Sequence, residues 1–289
     1  MTRKGIILAG GTGSRLYPAT IGISKQLLPI YDKPMIYYPL TTLMLAGIRD
    51  IAIITTPQDQ AQFQSVLGDG SQWGCDFTYL VQPSPDGLAQ AYMIAEAFLA
   101  GAPSAMILGD NMFFGHSLTE KLKAANADAV GGVVFGYQVQ DPGQYGVVEI
   151  DNNKRVLSIE EKPANPRSNL AITGLYFLDG TAPTRAKRVT PSARGELEIT
   201  DLLQHYADDG SLVVEQLGRG YAWLDTGTHS SLLDAGNFVR TLENRQGVQM
   251  GCPEEIAFNA GWINTVTLQE HLKKLGDNAY SQYLRELLN

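Results

Sequence analysis

Five short segments carry the groups that could do chemistry in this chain. The first is LAGGTGSRLYP, residues 8–18. Gly10, Gly11 and Gly13 lack Cβ atoms, so the backbone after Leu8 can turn tightly and approach a ligand. Consecutive N–H groups in such a turn form a nest for an anion. Arg15 adds a planar, permanently charged fork suited to phosphate. The glycines alone fit a sharp strand-to-loop turn equally well. Their spacing is not G-x-G-x-x-G, and no G-K-[ST] follows as in a Walker loop. The second segment, SKQLLPIYDKP (residues 24–34), brings Lys25, which either joins Arg15 at the same phosphates or is a solvated surface lysine.

The third segment is QPSPDGLAQA, residues 82–91. Gln82 offers a donor and an acceptor that match the imide edge of a pyrimidine. Gly87 would let the backbone approach a base, and Asp86 equally suits a helix cap. The fourth is LGDNMFF, residues 108–114, where Asp110 follows an apolar run. A carboxylate buried there is costly without a cation. Asp225, in YAWLDTGT (residues 221–228), is its distant counterpart. Two carboxylates converging on phosphates suit Mg²⁺, which keeps waters and phosphate oxygens as its other ligands. Each is also a reasonable turn or cap aspartate. The fifth group is Tyr145-Gly146 with Glu161-Lys162-Pro163: a carboxylate for sugar hydroxyls and an ammonium for a phosphate, or a plain charged surface run. Trp223 reads as packing or as a site floor. His116, His205, His229 and His271 show no metal spacing, and no G-x-S-x-G elbow supports a serine nucleophile. Cys75 and Cys252 form no C-x-x-C pair and read as packing residues.

Taken together, LAGGTGSRLYP and KQLLP resemble the signature of the sugar nucleotidylyltransferase family. KPMIYYPL, VQPSPDGLAQA, LGDNMFFG, YGVVE, SIEEKP, ITGLYF, RGELEITDL, GYAWLDTGT and CPEEIAF extend the resemblance over nearly the whole chain. Ser14 stands where the family usually has threonine, which keeps the hydroxyl. After Trp262 the match is looser. The resemblance implies an enzyme that joins a sugar 1-phosphate to a nucleoside triphosphate and releases pyrophosphate. The branch it is most similar to takes dTTP and glucose 1-phosphate, in the first step of dTDP-L-rhamnose biosynthesis. It implies Arg15, Lys25 and Lys162 as catalytic, and Leu8, Gly10, Gly11, Gly13, Gln82, Gly87 and Asp110 as nucleotide-binding. Tyr145, Gly146, Glu161, Lys162, Thr173, Tyr176 and Arg194 would bind the sugar phosphate, and Asp110 and Asp225 would hold Mg²⁺. It further implies a homotetramer with a second nucleotide site for dTDP-L-rhamnose around Gly115, His116, Arg219, Glu255 and Ile256, a set that also fits subunit packing. A UTP-using relative is the nearest alternative. A nicotinamide-dependent dehydrogenase fits less well, because its second strand would end in an acidic residue and here ends in Thr55-Thr56-Pro57.

These groups need a scaffold, and the apolar pattern predicts one. Apolar runs at residues 5–8, 51–55, 77–81 and 105–108 read as buried parallel strands. Helical patterns at 34–46, 58–67, 88–99 and 118–125 lie between them. That alternation predicts an α/β fold with a Rossmann-like doubly wound sheet, whose ligands sit beyond the carboxyl ends of the strands. Residues 129–137, 146–150, 156–160 and 171–178 predict a mixed extension of the sheet, with a turn at Asp151-Asn152-Asn153. A helix at 196–207 and strands at 212–217 and 221–224 follow, then helices at 230–243, 253–258 and within 268–288. The expected type is the nucleotide-diphospho-sugar transferase sheet with a helical C-terminal appendage. Residues 1–240 would be the core, and 241–289 an interface or regulatory segment with no independent fold. The 289 residues suffice for a large core. With 44% hydrophobic and 18% charged residues the chain is globular. A formal charge of −8 without a basic run argues against nucleic-acid binding. No apolar stretch is long enough for a membrane span, and a cytoplasmic location is expected.

Overall fold

In the computed structural model, which describes residues 1–288, the chain opens with strand β1 (Lys4–Ala9), followed by single 3-10 turns at Ser14–Leu16 and Lys25–Leu27. A two-rung hairpin, β2 (Pro29–Ile30) and β3 (Lys33–Pro34), leads into α1 (Tyr37–Leu45). Then come β4 (Asp50–Thr55), α2 (Gln60–Leu67), β5 (Asp76–Val81), α3 (Gln90–Ile94), α4 (Glu96–Leu99) and β6 (Ser104–Leu108). The second half holds β7 (Asn111–Gly115), α5 (Leu118–Ala127), β8 (Gly132–Gln138), β9 (Gly146–Ile150), β10 (Val156–Glu161), β11 (Leu170–Leu178) and α6 (Ala182–Ala186). It closes with α7 (Ile199–Asp208), β12 (Leu212–Leu217), β13 (Tyr221–Asp225), α8 (His229–Gln246), α9 (Pro253–Asn259), α10 (Thr265–Leu275) and α11 (Ala279–Glu286).

The main sheet runs β10-β9-β11-β6-β1-β4-β5, with β8 and β12 continuing beside β11. β1, β4, β5 and β6 are parallel, and β11 runs antiparallel to β6, β8 and β9. The mixed, doubly wound sheet expected from the apolar pattern is therefore present. Strand periodicity explains why both faces are covered. Ile7 and Ala9 of β1 pack on one face with Leu43 of α1, Phe63 of α2 and Leu122 of α5. Ile6 and Leu8 pack on the other with Tyr92 of α3 and Leu202 and Tyr206 of α7. Ala257, Leu268, Leu272 and Leu284 of the last three helices share the first of these cores. A smaller third cluster joins Ile30, Met35 and Tyr38 to Met112, Ala235 and Val239. Among the described residues no helix is long and apolar enough to cross a membrane.

Several boundaries differ from the sequence expectation for local reasons. The helix expected from residue 34 starts at Tyr37, because Lys33 and Pro34 pair with Ile30 and Pro29. The helix expected at 88–99 is two segments joined at Ala95, whose N–H still bonds to Ala91 O at 2.9 Å. The helix expected from residue 196 begins at Ile199, because the Leu197 backbone pairs outside it. Leu197 N–H donates to Asp86 O at 2.7 Å and Leu197 O accepts from Ala89 N–H at 3.1 Å. The largest difference is at 109–114, beyond the end of the strand expected at 105–108, where no strand is expected from the sequence. Asn111–Gly115 is a strand, and it pairs antiparallel with β13 as a ribbon apart from the main sheet. The turn expected at Asp151–Asn153 is present, with Lys154 N–H on Asp151 O at 3.0 Å.

Candidate active site

The parallel register places several candidate residues on one edge. Leu8 pairs with Leu108, Ala9 with Thr55, and Thr55 with Val81. The residues that follow these ends, Gly10, Asp110 and Gln82, emerge together at the carboxyl edge. Gln82 N–H donates to Thr55 O at 2.8 Å and Gly109 N–H to Leu8 O at 2.9 Å. The Gln82 side chain lies directly against Gly10, where a Cβ would collide with its Oε1. Its Nε2 donates to Gln90 Oε1 at 2.7 Å and to Gly87 O at 3.4 Å. Gly87 has φ +114 and faces the Leu197 backbone so closely that a Cβ would not fit. Only glycine satisfies both demands. Gly11 (φ +103) and Gly13 (φ +61) are left-handed as well, and Gly13 opens the short turn that carries Arg15.

The β7–β13 ribbon brings the two aspartates together. Asp225 pairs with Asn111 in the register. Thr226 N–H and Thr226 Oγ1 then both donate to Asp110 O, at 3.1 and 2.8 Å. The Lys25 ammonium is hydrogen-bonded to Asp110 Oδ2, and Asn111 Nδ2 donates to Asp110 Oδ1 at 3.0 Å. Burial works to raise the Asp110 carboxyl, but Lys25 and Asn111 outweigh it and hold the group below its ordinary range. Asp225 goes the other way. Burial, then the charge on Asp110, push it up, and Lys25 and Arg15 offset this only in part. Arg15 is exposed and stands beside Gly227, with Tyr145 within its field. The pair is thus one firmly ionised carboxylate and one short of positive charge. No group of three or more His, Cys, Asp or Glu that could hold a metal occurs among the described residues.

A second cluster forms where β9 meets β10. Gly146 pairs with Glu161, and Lys162 N–H donates to Tyr145 O at 3.0 Å. A Cβ on Gly146 would lie 2.8 Å from Thr200 Cγ2. Glu161 accepts from Thr200 Oγ1 at 3.2 Å and Arg194 Nη2 at 3.2 Å, with Lys162 Nζ at 3.8 Å. Burial first, then Glu198, push the Glu161 carboxyl up. Lys162 has φ +42, a left-handed backbone that is strained for a lysine.

Aromatic residues connect the clusters. The Tyr145 ring lies 5.0 Å from that of Trp223, and Trp223 Nε1 donates to Asn111 Oδ1 at 2.6 Å. Burial, then Glu161 and Asp110, push the buried Tyr176 phenol far up, so this neutral ring lies in the field of both clusters. Thr173 is fully buried, and its Oγ1 has no hydrogen-bond partner among the described residues.

Of the residues expected at a second site, Gly115, Glu255 and Ile256 line one cavity of about 690 Å³ between α1, β7 and α9. His116 and Arg219 are exposed and do not line it; Arg219 lies in the turn between β12 and β13. Asn111, Thr226, Glu198 and Thr200 were not singled out from the sequence. Asn111 lies inside the LGDNMFF motif, but only the ribbon shows that its Oδ1 also accepts from Gly174 N–H at 3.1 Å.

Comparison with known proteins adds to this geometry. The nucleotidyl transferase family profile matches residues 4–241. A glucose-1-phosphate thymidylyltransferase of Xanthomonas campestris pv. campestris is 61% identical over 285 residues, covering 99% of this chain and 97% of the relative. One of Mycobacterium tuberculosis is 53% identical over 285 residues, covering 99% of both. A crystal structure from Bacillus anthracis, provisionally named a glucose-1-phosphate thymidylyltransferase and bound to a sucrose, superposes with a TM-score of 0.77. It is 41% identical, with 83% of this chain and 96% of that one covered. A match of this extent, on a carboxyl-edge site of this composition, makes the chain a member of the nucleotidyl transferase family.

Proposed function

We propose that the protein transfers a thymidylyl group from dTTP to α-D-glucose 1-phosphate, giving dTDP-glucose and pyrophosphate, the first step of dTDP-L-rhamnose biosynthesis. One observation carries this reading beyond family membership. Two charged clusters, Asp110–Asp225 with Lys25 and Glu161–Lys162 with Arg194, are connected through Tyr145 and Trp223: Lys162 N–H donates to Tyr145 O, the Tyr145 ring meets Trp223, and Trp223 donates to Asn111 beside Asp110. Such a site accommodates two anions at once and screens their repulsion.

A phosphate oxygen of the sugar phosphate attacks the α-phosphorus of dTTP. A new P–O bond forms as the α–β bridging bond breaks, and pyrophosphate leaves. The nucleophile is a phosphate monoester with a second pKa of about 6, already largely ionised at neutral pH. No general base is required, which fits the absence of histidine among the residues assigned to the reaction. The protein's contribution is placement and charge. The glycine turn and Arg15 receive the triphosphate, and Gln82 with Gly87 face the base. Glu161 and Gly146 meet the sugar, while Lys162 and Arg194 meet its phosphate. Thr173 and Tyr176 line the sugar pocket. The carboxylate pair fits a hard divalent ion, since Asp225 lacks the full compensation that Asp110 has. Mg²⁺ held by Asp110 and Asp225 would supply charge neutralisation at the phosphates.

The test is pyrophosphate release over a panel of sugar 1-phosphates and nucleoside triphosphates, with and without Mg²⁺. The expected maximum of kcat/KM is with dTTP and glucose 1-phosphate, with measurable UTP turnover, since one methyl group separates the bases. A preference for UTP would move the protein to the neighbouring activity. Feedback control is part of the same proposal. The cavity lined by Gly115, Glu255 and Ile256 would take dTDP-L-rhamnose at an interface of a homotetramer formed in part by residues 241–289. Inhibition purely competitive with dTTP would count against it.

A further inference from the structure

Glu198 has no part in the reading above, yet it is 5% exposed and carries a carboxylate. It stands at the N-cap of α7, where an acidic side chain ordinarily accepts from the first N–H groups of the helix. Here it makes no such bond. Its Oε1 accepts from Ser192 Oγ at 2.6 Å and from Arg194 Nε at 3.1 Å, and its Oε2 accepts from Arg194 Nη2 at 2.8 Å. The Nε–Nη2 edge of Arg194 is therefore held by a two-point, charge-assisted pairing that fixes the plane of the guanidinium. Nη2 also reaches Glu161 Oε1 at 3.2 Å and Glu196 Oε2 at 3.7 Å. Nη1, at the far corner, has no acceptor among the described residues. A buried carboxylate is tolerated only when paired, and the flexible arginine it pairs with is 38% exposed.

We propose that Glu198 is a positioning residue for the transfer reaction. It clamps one edge of Arg194, with Ser192 steadying the clamp, so that Nη1 is presented to the phosphate of the incoming sugar 1-phosphate. The clamp also sits next to the nucleotide side of the site, because Leu197, one residue before Glu198, is bonded to Asp86 and Ala89. This inference rests on the reading that Arg194 meets the sugar phosphate.

The experiment is a double-mutant cycle on the full chain, with KM for each substrate and kcat measured at saturating co-substrate. Glu198→Gln keeps the shape and removes the charge. It is expected to raise KM for glucose 1-phosphate about tenfold or more, the change that loss of a charged hydrogen-bond partner brings. KM for dTTP should stay within about twofold, the two substrates being held by different groups. In an Arg194→Ala background the same substitution should add nothing, because non-additivity marks action through a shared partner. An equal rise in both backgrounds would overturn the inference, showing that Glu198 acts on the fold or on the sugar itself. An unchanged KM in Glu198→Gln, alongside a raised KM in Arg194→Ala, would overturn it too while leaving the role of Arg194 intact. An unchanged KM in Arg194→Ala would remove the Arg194 reading and this inference with it. Should Glu198→Gln not fold, Ser192→Ala takes its place. A smaller rise confined to the sugar phosphate supports the clamp, and no rise refutes it.

Discussion

Each side chain of the site has its charge set by its neighbours. Lys25 and Asn111 keep Asp110 ionised, while burial and Asp110 itself work against Asp225. Lys162 stands apart, half-exposed on a left-handed backbone with its ammonium directed toward Glu161. Lys162→Ala is expected to lower kcat roughly 100- to 1,000-fold, the usual loss when one charge-stabilising donor goes. Steady-state kinetics check this, and a small rise in KM with kcat intact would remove Lys162 from the catalytic set. Glu161 permits a prediction on stability. Its folded-state pKa lies above the ordinary value, so between the two the native state binds more protons than the unfolded chain. Stability is then lost as pH rises through that window. Glu161→Gln should raise Tm at pH 7, and the gain should fade below the ordinary value of about 4.3. Calorimetry at several pH values measures it, and a pH-independent difference would contradict the assignment. The chemistry of these residues was legible in the motifs. The pairing of Asp110 with Asp225 was legible only through the family resemblance, since the two are far apart in sequence, and no local pattern states that Lys25 sits on a carboxylate.

Two elements deliver the carboxylates: β6, which ends at Leu108, and the β7–β13 ribbon. The ribbon works because Thr226 follows β13 and bonds twice to Asp110 O. Thr226 is fully buried, and its Oγ1 also lies 3.2 Å from Met35 Sδ. Thr226→Val keeps the shape and removes the hydroxyl. It should cost about 1–2 kcal/mol in chemical denaturation. It should also lower kcat on the order of ten- to hundredfold, because small misplacements of reacting groups are expensive. Wild-type kcat in a folded variant would show that the backbone N–H alone sets the pair. The parallel strands were legible because strands buried on both faces read as continuous apolar runs. The ribbon was only half legible. Tyr221–Leu224 reads as a strand, but Asn111–Gly115 looks like a loop because its register is set by a partner far along the chain.

For the molecule as a whole, the question is how the last helices are held. Lys33 is 3% exposed on the hairpin, and its Nζ donates to Glu243 Oε1 at 3.0 Å, Gln249 Oε1 at 3.0 Å and Asp32 Oδ1 at 2.6 Å. Glu243 Oε1 also accepts from Met250 N–H at 3.0 Å, beside the wall of the 690 Å³ cavity. Tyr38 and Tyr280 place their rings 5.8 and 5.6 Å from the same ammonium. Lys33→Met should destabilise the protein by about 3–5 kcal/mol, because Glu243 is left buried and unpaired. Adding Glu243→Leu should recover much of the loss, since two apolar groups can replace a buried pair. A double variant no more stable than the single one would show that Asp32 and Gln249, not Glu243, carry the network.

The sequence by itself determined the α/β class, the carboxyl-edge location of the site and the residue types that line it. These follow from local pattern: apolar periodicity, glycines where backbone must turn, and charged groups just after strand ends. Only the tertiary structure decided that β7 leaves the main sheet to pair with β13, that Lys25 and Asn111 hold Asp110, and that Glu198 grips Arg194. The β7–β13 pairing and the Lys25–Asp110 bond join residues far apart along the chain, beyond the reach of any periodic signal. Arg194 and Glu198 are only four residues apart, but Arg194 lies before α7, so their spacing alone does not show the grip. Each contact is fixed by packing and by the need to pair every buried polar group.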